Sequence, residues 1–234
     1  MVYRRLDPKE TVATVAQLVR RIDERFPGVG LVHVCQELLV IAQESSETAE
    51  RIARPLYAMR ACIGVVVLAI VASLGFSISL LDIDRANLSA GDLVQGAEAS
   101  LNGLALIGAA IFFLVTIENR VKRARALAAL HELRSMAHVI DMHQLTKDPA
   151  IPGVEAVATP SSPLRTLTDF ELARYLDYCS EMLALLGKIA ALYAQTSVDR
   201  EVTSAVNEVE VLTTGLSGKI WDKIQAIHTS HRAD

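Results

Sequence analysis

Three of the chain's six histidines fall in one short stretch, His131 to Lys147, which reads HELRSMAHVIDMHQLTK. At helical spacing His131 and His138 share a face, Asp141 lies one turn beyond His138, and His143 points elsewhere. Imidazole and carboxylate are transition-metal donors, and His138 with Asp141 at i, i+3 offers two of them. A zinc site needs a third donor from another helix, and neither HExxH nor a paired-cysteine spacing occurs. The same three residues also suit a hydrogen-bonded contact to a neighbouring helix. His131, His138 and Asp141 are therefore read as a polar interhelical network, with a weak metal site as the alternative and no metal or other cofactor assigned.

Little else in the chain suggests a reaction. No glycine-rich phosphate loop and no GxSxG are present, and none of Cys35, Cys62 and Cys179 has an evident partner base. The three cysteines are scattered and read as reduced, small apolar fillers without a disulfide framework. Glu201, Glu208 and Glu210 sit largely away from the apolar positions of their helix, as a solvated face requires. Trp221 and Tyr193 read as core or interface residues. The chain is expected not to be an enzyme.

The elements that position these residues are dominated by two uncharged stretches, Ala61–Leu81 and Ala99–Ile117. As helices they reach about 31 and 28 Å, against a bilayer hydrocarbon core of about 30 Å. Hydrophobic residues make up 51% of the chain and its mean hydropathy is +0.32, yet most of its 234 residues lie outside these stretches. The expected fold is all-α: an integral membrane protein with a two-helix transmembrane hairpin over residues 58–118. Arg51, Arg54 and Arg60 precede the first span, and Arg120, Lys122, Arg123 and Arg125 follow the second. The connector, residues 82–98, holds Asp82, Asp84, Asp92 and Glu98 against the single base Arg85. Lysine and arginine stay on the cytoplasmic side, so both termini are expected there and the connector outside. Net charge is −4, spread unevenly: +3 over residues 118–147 and −5 over residues 148–234. The juxtamembrane excess suits anionic lipid, and no basic stripe interleaved with aromatics suggests nucleic acid.

Around the hairpin the chain reads as helices throughout. Residues 1–57 form a helical hairpin: Asp7 caps, Pro8 takes the first helical position, and Val12, Val15, Val19, Ile22 and Phe26 make one apolar face. Pro27-Gly28 ends this helix. A second runs from about Gly30 to Ala53, with Ser45-Ser46 as a point where it breaks or re-caps. Residues 119–147 continue the second span as an exit helix, with Ala126, Leu130, Leu133, Ala137 and Ile140 in a seam of fours and threes. Residues 148–166 are a proline-rich linker. Residues 167–234 form a second helical hairpin, opened by a capping box from Thr168 to Glu171.

The spans carry candidate residues of their own. Ala69, Ser73 and Ser77 repeat every four residues in the first, and Ala105 and Ala109 in the second, a spacing that lets membrane helices pack closely. If several copies enclose a path, Asn102 and Thr116 suit its lining and Phe112 and Phe113 a hydrophobic gate. In layout, from helical N-terminus through two spans to a helical C-terminal hairpin, the chain resembles two-span bacterial effector proteins known as SLATT domains. That resemblance covers layout alone and implies a multi-pass protein of a bacterial inner membrane. Two functions fit. The first is a self-associating, membrane-anchored helical module that docks a cytoplasmic protein or senses a signal. The second is an oligomeric pore or channel subunit with the second span near its axis. Membrane lipid, further copies of the chain and a cytoplasmic protein are the expected partners.

Overall fold

The computed structural model describes residues 5–80, 90–149, 160 and 166–230, and every regular element among them is helical. In chain order these are α1 (Pro8–Arg25), α2 (Gly30–Ala53), α3 (Tyr57–Leu80), α4 (Ala90–Leu145), α5 (Asp169–Thr196) and α6 (Arg200–Ser230). They belong to two compact units. One comprises residues 1–53 and 123–234, the other residues 54–122, and α4 contributes to both.

Local chemistry accounts for the ends of the helices in the first unit. The Asp7 carboxylate accepts from the Lys9 N–H at 2.9 Å, and Pro8 follows in the first turn, where its missing N–H costs nothing. The chain leaves α1 through Gly28, whose φ of 71° is easily adopted only without a Cβ. Thr168 and Glu171 form a reciprocal capping box at the start of α5. Asp199 opens α6 by accepting from the N–H groups of Glu201 and Val202, at 2.9 and 3.3 Å. The α2 helix runs unbroken through Ser45, which is buried, and Ser46, so the expected break there does not occur.

The core of this unit is built around α5. Leu172, Leu176, Met182, Leu183, Leu186 and Ile189 are all buried, and so are Tyr175, Tyr178 and Tyr193. Burial on more than one face is the mark of a central helix. α5 packs on α6, α2 and α1, and α1 packs on α2. Phe26 meets Tyr175 and Tyr178 edge-on, with ring centroids 5.9 and 6.2 Å apart. At the α5–α6 crossing a Cβ on Gly187 would lie 3.3 Å from Thr213 Oγ1, so the helices approach here because a side chain is missing. Buried residues of α1 are Thr11, Val15, Leu18 and Ile22, and Val12 and Val19 are only half-buried at the edge.

The distal half of α4 belongs to the same core. Ala126, Leu130, Leu133, Met136, Ala137 and Ile140 are buried, and they include all five positions of the sequence seam. Arg123 reaches Asp199 and Glu201, both at 2.8 Å. Arg134 reaches Glu208 at 3.3 Å, and Lys223 donates to Gln144 O at 3.0 Å and pairs with Asp148 at 2.9 Å. The partner numbers rise together, so this part of α4 and α6 run parallel. Lys223 also places positive charge at the C-terminal end of α4, where the helix dipole favours it.

The second unit holds α3 and the proximal half of α4. Among the described residues, α4 contains one stretch long and apolar enough to cross a membrane, and α3 has a shorter apolar stretch, Arg60–Ser73. The structure thus supports one candidate span by length and composition, where the sequence suggested two. α4 begins at Ala90, so the second half of the expected connector is helical. Residues 81–89 lie outside the described residues, as does most of the expected linker.

Candidate functional site

An ordinary core helix buries its apolar residues. The most apolar window of α4 has 6% of its residues buried. Leu101, Leu104, Leu106, Ile111, Phe113 and Val115 are exposed, and Phe112 is 75% exposed. α3 behaves alike, with Val65, Val66, Leu68, Val71 and Phe76 exposed. Apolar surface this extensive requires a cover, because patches beyond a few hundred Å² mark contact with lipid or protein.

Three hydroxyls on these helices are satisfied by their own backbone. Thr116 Oγ1 donates to Phe112 O at 2.8 Å, Ser79 to Phe76 O at 2.8 Å, and Ser100 to Gly96 O at 2.8 Å. Such bonds let hydroxyls face an apolar medium. Thr116 therefore needs no water-lined environment. Of the residues singled out for packing or a pore, Ala69, Ser73, Asn102, Ala105, Ala109, Phe112, Phe113 and Thr116 are all exposed in the single chain. The Ser77 side chain lies outside the described ones.

At the basic end of this unit one acid is drawn inward. Glu118 is 7% exposed. Its carboxylate accepts from the Leu56 N–H at 3.3 Å and from Lys122 Nζ at 2.9 Å, and Arg60 Nε lies 3.5 Å away. Glu118 follows the uncharged stretch directly. The Lys122 bond, opposed by burial and helped by Leu56 and Arg60, holds its carboxyl below the usual range for glutamate. The sequence shows Glu118 only as the lone acid in a basic collar. Its i, i+4 spacing to Lys122 was legible there, whereas its link to Leu56 was not.

The histidine-rich segment lies on the distal half of α4. His131 and His138 are exposed on α4. Asp141 accepts from Gln144 Nε2 at 2.6 Å, a bond within the same helix. The expected link from these three residues to another helix is absent from the described contacts, because the buried face of α4 is the one bearing Leu133 and Ile140. Among the described residues no three His, Cys, Asp or Glu side chains gather as a metal site would need. Cys35 and Cys179 are buried and Cys62 is exposed. Burial pushes both buried thiols up to about 12.

A shallow recess of about 530 Å³ is lined by Arg21, Glu24, Arg25, Arg174 and Tyr178. Two of its guanidinium groups are already engaged: Arg21 with Glu181 at 2.6 Å and Arg174 with Asp177 at 2.9 Å. Both also lie over the Tyr178 ring, 5.4 and 5.1 Å from its centroid. These pairings make the recess a structural joint between α1 and α5. Trp221 is 58% exposed, which leaves it outside the core. No protein-family model, curated protein or solved structure matches this chain, so the functional reading rests on its own residues.

Proposed function

We propose that the chain is a non-enzymatic, membrane-anchored helical module. In this reading α3 and the proximal half of α4 are the two-span hairpin, crossing at about residues 61–81 and 99–117. Both termini lie on the cytoplasmic side of an inner membrane. The unit formed by residues 1–53 and 123–234 is the cytoplasmic part, which self-associates and docks a partner protein or senses a signal. The observation that carries the proposal is that most large apolar side chains described on α3 and proximal α4 are exposed and none of them is buried. Lipid would cover them at no cost to the rest of the fold. The basic collars on either side favour this orientation. The self-bonded Thr116, Ser79 and Ser100 hydroxyls favour a lipid-facing anchor over a water-lined path.

A thiol reagent that cannot cross membranes tests the proposal on intact cells. A cysteine introduced as Ser89→Cys should be modified and one introduced as Ser204→Cys spared. The reverse pattern overturns the orientation, and recovery of the chain in the soluble fraction overturns the anchor. Native mass spectrometry of the chain in nanodiscs reads self-association in the same samples. A monomer removes it, and a closed ring of four or more copies transfers the proposal to an oligomeric pore.

A further inference from the structure

A charge that ends a membrane-length apolar run would ordinarily sit in water, where it costs nothing. Glu118 instead is nine-tenths buried, and burying a carboxylate is unfavourable unless every contact is well made. Its three contacts come from separate places. The Leu56 N–H belongs to the turn just before α3, Arg60 to the first turn of α3, and Lys122 to the next turn of α4. The carboxylate therefore lies at the N-terminal end of α3, where free N–H groups and the helix dipole attract an anion. Lys122 is drawn in with it, its side chain 20% exposed, whereas Arg60 is 59% exposed. A purely solvated collar of bases would leave all of these groups in water.

We infer that Glu118 is a clamp that ties the start of α3 to α4 and so sets the spacing of the two helices at their basic end. The contacts lie within residues 54–122, so the clamp operates whether or not the helices cross a bilayer. Its placement at a membrane surface rests on the reading proposed above. The clamp has directional consequences. Removing the carboxylate leaves a half-buried ammonium and a helix-end N–H without their acceptor, and nothing else among these contacts joins the two helices. Replacing it by the amide keeps an acceptor for Leu56 but removes the attraction to Lys122 and Arg60.

Spin labels at Ala61 and Asn119, both exposed and each beside a clamp residue, report the spacing in the full chain reconstituted in nanodiscs. The unaltered clamp should give a single narrow distance distribution. Glu118→Ala should lose that narrow peak, and Glu118→Gln and Lys122→Met should each broaden it less. If Glu118→Ala does not fold, the isosteric Glu118→Gln carries the test alone. Distributions unchanged from the parent in Glu118→Gln and Lys122→Met would overturn the clamp. Labelling at Ser89→Cys and Ser204→Cys in the same variants keeps the two ideas apart. Normal topology with an unchanged distance defeats the clamp and leaves the anchor standing. A distribution broadened in Glu118→Gln, together with the reverse labelling pattern, defeats the proposed orientation and leaves the clamp.

Discussion

Leu133→Ala tests whether the distal half of α4 is structural core or a free projection. Leu133 has no exposed surface and lies with Leu130, Ala137 and Ile140 on the buried face of the helix. Truncating a leucine at such a site removes its transfer free energy and leaves a cavity, together about 2–5 kcal/mol. In a domain of 150–250 residues each kcal/mol lowers the melting temperature by about 2–4 °C, so a mid-range loss of about 3 kcal/mol predicts a fall of about 6–12 °C. The comparator is Met142→Ala on the same helix. Met142 is 65% exposed, and surface changes of this kind stay within about 0.5 kcal/mol. Differential scanning calorimetry of the full chain in mild detergent reads both variants against the parent. Equal melting temperatures for Leu133→Ala and Met142→Ala would refute the placement of α4 in the core.

Asp199 gives a pH signature. Burial alone would raise its carboxyl, but bonds from the Val202 N–H, Arg123 and the Glu201 N–H outweigh that and hold it below its ordinary value. The folded state therefore binds fewer protons than the unfolded state. Its stabilisation is complete above the ordinary aspartate pKa of about 3.9 and is lost as pH falls through the lower folded value. Asp199→Ala should cost about 1 kcal/mol as a lost helix cap and make the acid-side decline of melting temperature shallower, and an unchanged acid profile would contradict this. Alkylation at pH 8 should spare Cys35 and Cys179 in the folded chain and modify both after unfolding, because burial pushes their thiols up to about 12. Rapid labelling of either thiol in the native protein would show that its segment opens.

Much of the helical organisation was legible because its signals are local. Asp7 with Pro8, and Thr168 with Glu171, satisfy helix-end N–H groups within a single turn. The seam Ala126, Leu130, Leu133, Ala137 and Ile140 repeats at the helical period, so the buried face of distal α4 could be read without a partner in view. Such signals are less secure at the edges. Val12 and Thr11 are neighbours in α1, and packing made the threonine buried and the valine half-buried. Ser45 and Ser46 looked like a break in α2, but Ser45 is buried within a continuous helix. Tertiary burial of one face outweighed the local preference of serine for helix ends.

The sequence by itself determined an all-helical chain, the apolar length and composition of its hydrophobic stretches, and the basic charge beside them, because each depends on residues within a few turns of one another. Only the tertiary structure decided which polar groups meet. Glu118 and Leu56 are 62 residues apart, and Arg123 and Asp199 are 76 apart. No periodicity in either segment encodes those encounters. The same holds for His131 and His138: spacing put them on one face of α4, and the packing of Leu133 and Ile140 into the core turned that face outward. A helix carries its own hydrogen bonds, so its existence is written locally. The direction its faces point is set by what the rest of the chain packs against it.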